Sequence, residues 1–238
     1  MLATTWLSQG GFIFETGGVR IVVDPYMGDT VERQHGVTRI VSFPLALTDL
    51  KPDVLFCTHD HLDHLEPDTV VAIAATYPRC QLVGPLSCHS HFLKLGLPAD
   101  RCREVHVGGS FDCGQATLTP VPAFHSDPAA VGLVLSVGAS KLYLSADTTY
   151  SDALINEWTT GSDALLICIN GRLGNMNGDE ALRIVSALRP HLALPMHYGL
   201  FEENTADPEP FIQGCRARGV ESFAMPLGTP FPILPAAQ

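Results

Sequence analysis

Apolar runs of strand length recur along the chain, and the polar spacers between them set the order of elements. Residues 12–15 and 19–24 are rich in β-branched and aromatic side chains and flank Thr16-Gly17-Gly18, which predicts a hairpin. Residues 25–44, broken by Gly28, Gly36 and Pro44, carry weak periodicity and predict a long loop, a kind of segment that is commonly functional. From Pro52 the pattern alternates: a strand over 53–57, a polar segment, a helix over about 67–77, a strand over 81–83 and a helix over about 87–95. Such alternation predicts an α/β arrangement. Residues 103–121 predict short strands, and 131–137 with 141–145 a second hairpin, so a second sheet is expected. The last third predicts a buried strand over 164–169, a helix over 179–188 capped by Asn177, and a strand over 191–195 that runs into Met196-His197-Tyr198. Pro226, Pro230, Pro232 and Pro235 read as terminal punctuation.

At 238 residues and 46% hydrophobic, the chain is long and apolar enough for one sizeable core, so a single domain spanning 1–238 is expected. The net charge is −11 with Lys and Arg scattered, which leaves no basic face for nucleic acid or an anionic membrane. The start carries no basic leader, and no run approaches the ~20 apolar residues of a membrane span, so a cytoplasmic protein is expected. Seven cysteines without a CxxC pair, several inside apolar runs, fit reduced buried thiols rather than a disulfide framework.

The polar segment after the 53–57 strand is Thr58-His59-Asp60-His61-Leu62-Asp63-His64. Neutral imidazole is the commonest metal ligand, and a carboxylate adds charge and can bridge two ions. His59 and His61, two apart in an extended segment, point to one side, while Asp63 and His64 follow after a turn. Four candidate ligands in one loop suggest two metals. Further ligands are expected at distant strand ends, where the chain offers His125, Asp147 and His197.

HxHxDH followed in order by an isolated His, a strand-ending Asp and a late His resembles the metallo-β-lactamase superfamily over essentially the whole chain. The resemblance implies an α/β fold built as a four-layer αββα sandwich of two mixed β-sheets flanked by helices. It also implies that His59, His61 and His125 hold one ion, that Asp63, His64 and His197 hold a second, and that Asp147 bridges them. Asp24, after Ile21-Val22-Val23, matches the family's Asp that supports the metal loop from behind. No Cys stands at a ligand position, which fits the lactonase, thioesterase and phosphodiesterase branches better than the antibiotic-hydrolysing ones.

Ile169-Asn170-Gly171-Arg172, Gly174-Asn175-Met176-Asn177 and Pro195-Met196-His197-Tyr198-Gly199 look like the L-ascorbate-6-phosphate lactonase (UlaG-like) family, although this chain is short for it. The resemblance implies a binuclear hydrolase using a metal-bridging hydroxide on a small anionic substrate such as a phosphorylated sugar lactone, with zinc or manganese, or iron, as the two ions. Asp63 or Asp147 would orient the hydroxide and take its proton; the sequence does not choose between them. Arg172 is the candidate for a phosphate, since guanidinium pairs bidentately with it, and Asn170, Asn175 and Tyr198 add hydrogen-bonding groups. A phosphodiesterase acting on a phospholipid or nucleotide, and a non-catalytic metal-binding module, remain alternatives. Enzymes of this kind commonly form symmetric homo-oligomers. Cys88-His89-Ser90-His91 reads as helix surface, and His35 sits where the long loop can meet substrate.

Overall fold

Alternate side chains of a strand face opposite ways, so a strand apolar at every position must be covered on both sides. Residues 21–23 and Val54–Phe56 have this character: Ile21, Val23, Val54 and Phe56 enter one apolar cluster, while Val22 and Leu55 enter another. That demand produces the layers. The computed structural model describes residues 1–234; Pro235, the last of the expected terminal prolines, lies outside them.

The first half runs β1 (Leu2–Ser8), β2 (Gly11–Thr16), β3 (Val19–Val23), α1 (Thr30–His35), α2 (Leu47–Leu50), β4 (Val54–Phe56), α3 (Pro67–Thr76), β5 (Gln81–Gly84), α4 (Leu86–Lys94) and β6 (Cys102–Glu104). The second runs β7 (Phe111–Cys113), β8 (Ala116–Pro122), β9 (Val131–Val137), β10 (Ser140–Leu144), β11 (Ala164–Cys168), α5 (Gly178–Leu188), β12 (Leu192–Met196), α6 (Glu209–Arg216) and β13 (Phe231–Leu234). One seven-stranded sheet has the order β13-β1-β2-β3-β4-β5-β6, and a six-stranded sheet the order β12-β11-β10-β9-β8-β7. Each is mixed: β3 to β6 are parallel beside antiparallel β1–β3, and β10 to β12 are parallel beside antiparallel β7–β10. Val70 and Ile73 of α3 and Phe92 of α4 cover the outer face of the first sheet, while α5 and α6 pack on β11 and β12. The result is the expected αββα sandwich.

The structure departs from the sequence pattern at its edges. β1 was not expected, because Thr4 and Thr5 interrupt its apolar run; both are buried, with the Thr4 hydroxyl donating to the Ile13 carbonyl at 3.2 Å. β6 pairs with β5 in the first sheet rather than joining the second, since the crossover through α4 returns the chain beside β5. The proline-rich end is not mere punctuation: Pro232 lies in β13, an edge strand, where a missing N–H is tolerated. Within the expected long loop, α1 forms and is tied down by buried Glu66, which accepts from the Gly28 and Thr30 amides at 2.6 and 3.1 Å. α5 begins at a capping box in which Asn177 and Glu180 satisfy each other's backbone amides.

Candidate metal centre

Open α/β sheets present their ligand-binding crevice at the carboxyl ends of parallel strands. Here Asp24 follows β3, Thr58 to His64 follow β4, Asp147 follows β10 and His197 follows β12, and the antiparallel β8 delivers His125 to the same edge. Asp24, Ala146 and His197 take left-handed backbone angles (φ 43, 52 and 61°). For non-glycine residues this costs about 1–3 kcal/mol each and persists only where the surroundings enforce it. The Asp24 amide donates to the Phe56 carbonyl at 3.0 Å, and the His197 amide to the Gln9 carbonyl at 3.1 Å.

Three imidazoles form the first tripod. His59 Nε2 and His125 Nε2 lie 3.2 and 3.1 Å from His61 Nδ1. The outer nitrogens are occupied: His125 Nδ1 meets the Gly174 carbonyl at 3.1 Å, which makes it the donor and leaves Nε2 a bare lone pair, and His61 Nε2 meets the Ser126 hydroxyl at 3.1 Å. In the second tripod His64 Nε2, His197 Nε2 and Asp63 Oδ2 are mutually 3.4, 3.5 and 3.7 Å apart. Four ligands placed tetrahedrally at about 2.1 Å from a zinc-like ion are separated by about 3.4 Å, so both tripods have the dimensions of a metal site. Asp147 stands between them, with Oδ1 3.4 Å from His64 Nε2 and Oδ2 3.0 Å from His197 Nε2 and 3.9 Å from His125 Nε2. Its Oδ1 is buried without a hydrogen-bond donor, the condition of a carboxylate oxygen awaiting a cation.

Behind the tripods, Asp24 Oδ2 accepts from His64 Nδ1 at 2.8 Å, and its Oδ1 from the Thr58 amide at 2.8 Å. The carboxylate fixes the His64 tautomer so that Nε2 faces inward. Asp24, His59 and His64 also cluster closely enough to be read as a third metal-binding group, but the Asp24 oxygens are consumed by His64 and Thr58. Asn175 Nδ2 donates to Asp147 Oδ2 at 2.8 Å.

The charges divide the centre. Burial, reinforced by neighbouring imidazoles, holds His59 well below the ordinary histidine range and His61 below it. At His64 burial opposes protonation, yet Asp147, Asp63 and Asp24 outweigh it and carry the pKa well upward. At His197 burial is likewise overcome by Asp147 and Asp63, and the pKa is pushed up to about 9. Burial would raise Asp63 and Asp147, but the same two histidines hold both carboxyls below their usual range. At Asp24 burial prevails and raises the pKa despite His64 and Thr58. Two carboxylates thus demand positive charge, which imidazolium supplies in the metal-free protein and divalent ions would supply in its place.

A cavity of about 500 Å³ opens on this floor of His61, Asp63, His125 and Asp147. Its walls are Val31, Val37, Leu62, Leu173 and Phe201, with His35, Asp60, Ser126 and Asn204 as polar points. Among the described residues that line it there is no Lys or Arg. Arg172 lies outside: it is exposed, and its guanidinium donates to the Glu203 carbonyl at 3.3 Å. Positive φ at Gly171, Leu173 and Gly174 turns this loop so that Leu173 reaches the cavity instead. Tyr198 is also outside, packed on Trp6 in the inter-sheet core with ring centroids 4.9 Å apart. Asn170 is one step removed, donating to Asn204 Oδ1 at 2.8 Å. The phosphate cradle expected around Arg172 is therefore not assembled.

Several supporting residues lie outside the His/Asp pattern of the sequence. Gln9, in the turn between β1 and β2, places Nε2 2.9 Å from Asp63 Oδ2. Asp127 accepts from the Asp60 amide at 2.9 Å and from the Ser87 hydroxyl at 2.7 Å, and His91 of α4 pairs with the Asp60 carboxylate. His91 thus turns from the expected helix surface toward the metal loop. Asp127, five residues beyond the end of β8 and two beyond His125, was the one visible signal.

Fold and site together define a metallo-β-lactamase-fold protein with candidate His/Asp metal clusters. The chain belongs to the beta-lactamase superfamily domain family, whose model matches residues 19–198. It is similar to a UPF0173 metal-dependent hydrolase of Pyrobaculum arsenaticum, 28% identical over 210 residues that cover 87% of this chain and 88% of the relative. The solved structure of Igni18, a metallo hydrolase of Ignicoccus hospitalis, shares the fold at a TM-score of 0.80 and 22% identity, covering 98% of this chain and 99% of that one. CmlA, a diiron β-hydroxylase from Streptomyces venezuelae, shares it at 0.76 and 16% identity over 97% of this chain and 54% of its own. One fold therefore serves different chemistries, and the reaction must be read from the site. Among the described residues no helix is long and apolar enough to cross a membrane.

Proposed function

We propose that this protein is a two-metal hydrolase that opens a small lactone or a comparable ester. The observation that carries the reading is the meeting of two metal-sized tripods at Asp147 on the floor of a cavity. His59, His61 and His125 would hold one ion, Asp63, His64 and His197 the other, and Asp147 both. Five imidazoles and two carboxylates suit zinc and also accept manganese or iron. When bound, such ions supply Lewis acidity to a carbonyl oxygen and lower the pKa of water toward about 7.

The chain's own residues supply the rest. Each carboxylate accepts from one buried amide, Asp147 from Asn175 and Asp63 from Gln9, but Asp63 is the more exposed, with 18% of its side chain open against 6%. Asp63 is thus the group placed to take a proton from the attacking water and return it to the leaving oxygen. The apolar walls favour an uncharged, apolar substituent beside the carbonyl. The Asn204 amide oxygen is occupied by Asn170, which leaves its N–H groups free to donate to substrate. An anionic group on the substrate would find its cationic partner only at the ions, because the walls offer none.

The resemblance of the Asn170–Asn177 and Pro195–Gly199 segments to the L-ascorbate-6-phosphate lactonases supports the choice of a lactone, and seven free cysteines support a reducing, cytoplasmic setting. The test is a panel of neutral and phosphorylated lactones beside bis(p-nitrophenyl) phosphate, assayed with zinc- and manganese-loaded protein. Lactone opening is expected, faster for the neutral members. Cleavage of the phosphodiester with no lactone opened would replace this reading with a phosphodiesterase.

A further inference from the structure

The turn between β1 and β2 makes its closest approach to the site at the second tripod, and it does so in a strained shape. Ser8 and Gln9 are consecutive non-glycine residues with positive φ (87 and 49°), although Gly10 and Gly11 stand next to them. The Gln9 carbonyl accepts from Trp6 Nε1 at 3.2 Å and from the His197 amide at 3.1 Å, so the main chain is fastened to both β1 and the His197 loop. Gly10 presses on the His64 ring so closely that an added Cβ would meet Cε1 at 2.6 Å. The Gln9 side chain is fully buried, and its amide lies over one edge of the tripod, with Nε2 2.9 Å from Asp63 Oδ2 and 3.1 Å from His197 Nε2. Its other amide atom, Oε1, is buried with no partner.

Those separations resemble the spacing between neighbouring ligands around one ion, which is about 3.4 Å for bonds of about 2.1 Å. A cation bound to Asp63 and His197 would face the amide directly. An N–H pair is repelled there, whereas a carbonyl oxygen is a hard neutral ligand, and a half-turn of the amide exchanges the two atoms. We propose that Gln9, through Oε1, is a further ligand of the second ion. The inference rests on the two-metal reading above. It assigns the strained turn a purpose: Ser8 and Gln9 hold a left-handed path so that a side chain from the first hairpin completes a site otherwise built from the β4, β10 and β12 loops. Oxygen donors favour manganese over zinc, so Gln9 also tilts the second site toward the harder ion.

Binding of metal alone provides the test, without turnover. Metal-free wild type, Gln9→Leu and Gln9→Glu are titrated with Zn²⁺ and separately with Mn²⁺ against a competing chelator, with folding followed by circular dichroism. The wild type should bind two ions. Gln9→Leu should weaken the second by at least about tenfold, and more for Mn²⁺ than for Zn²⁺, while the first is unchanged. Gln9→Glu should bind Mn²⁺ at the second site at least as tightly as wild type. A Gln9→Leu protein with unchanged second-site affinity, or with equal losses for the two metals, overturns the proposal, the latter because it would show Gln9 merely positioning Asp63. If Gln9→Leu does not fold, weaker Mn²⁺ binding by Gln9→Glu than by wild type overturns it instead. A wild type that binds one ion overturns the two-metal reading itself, and this inference with it.

Discussion

The two tripods are built from overlapping residue types, yet they are prepared for metal in opposite ways. His59, His61 and His125 meet without a carboxylate of their own, and burial keeps His59 and His61 neutral with lone pairs ready. Asp63, His64 and His197 sit beside Asp147, and their carboxylates keep His64 and His197 protonated. The first tripod offers neutral lone pairs; the second has pKa values raised so that a bound ion would have to displace protons. The difference comes from where the carboxylates lie, and Asp147, which touches both sides, couples the two.

The largest effect should follow from removing that coupling. Asp147→Ala should cost roughly 10³-fold in kcat/KM and reduce the bound metal to one ion per chain, measured by steady-state kinetics and elemental analysis. Full activity in this variant would remove Asp147 from the centre. Asp24→Ala removes the direct partner of His64 and reaches His59 only through the Thr58 hydroxyl: it should weaken the second ion by about 10- to 100-fold and the first by less, which a chelator competition would show as one binding phase displaced further than the other. Equal weakening of both ions would contradict the separation.

A pH series sharpens the comparison further. Below pH about 9 the second ion must expel the His197 proton, so its affinity should fall about tenfold per pH unit for each proton displaced, while the first ion changes less around neutrality. The same shift acts on the metal-free fold. A histidine raised from its unfolded value of about 6.5 contributes stability that is complete below that pH and is lost as pH rises through about 9. The melting temperature of metal-free protein should therefore decline over that window, and saturating zinc should abolish the decline. The smallest effect belongs to Arg172→Ala, expected to change kcat/KM by no more than about twofold, as an exposed residue outside the cavity.

The legibility of these features in the sequence follows the strength of their chemistry. THDHLDH stands out because such a density of imidazole and carboxylate directly after an apolar strand has few structural uses, and Asp147 and His197 stand out because each closes an apolar run. The layers were legible for the same reason: β3, β4 and β11 are apolar at nearly every position and must be covered on both faces. Gln9 was not legible, since an amide in a Ser-Gln-Gly-Gly turn looks like ordinary loop chemistry until the fold brings it to Asp63, 54 positions away in sequence. Arg172 misled because charge suggests anion binding, while the φ values of its glycine-flanked loop decide which way the chain faces, and they present Leu173. Tyr198 misled by adjacency to His197: the reversal of the backbone at His197 sends the next side chain into the core against Trp6.

The central claim, two ions held side by side and joined by Asp147, is tested most directly by anomalous diffraction from crystals of zinc-loaded protein. The account predicts two peaks per chain, one within bonding distance of His59 Nε2, His61 Nδ1 and His125 Nε2, the other of Asp63, His64 and His197, with Asp147 reaching both. A single peak, or a peak seated on Asp24 in place of either tripod, would contradict it.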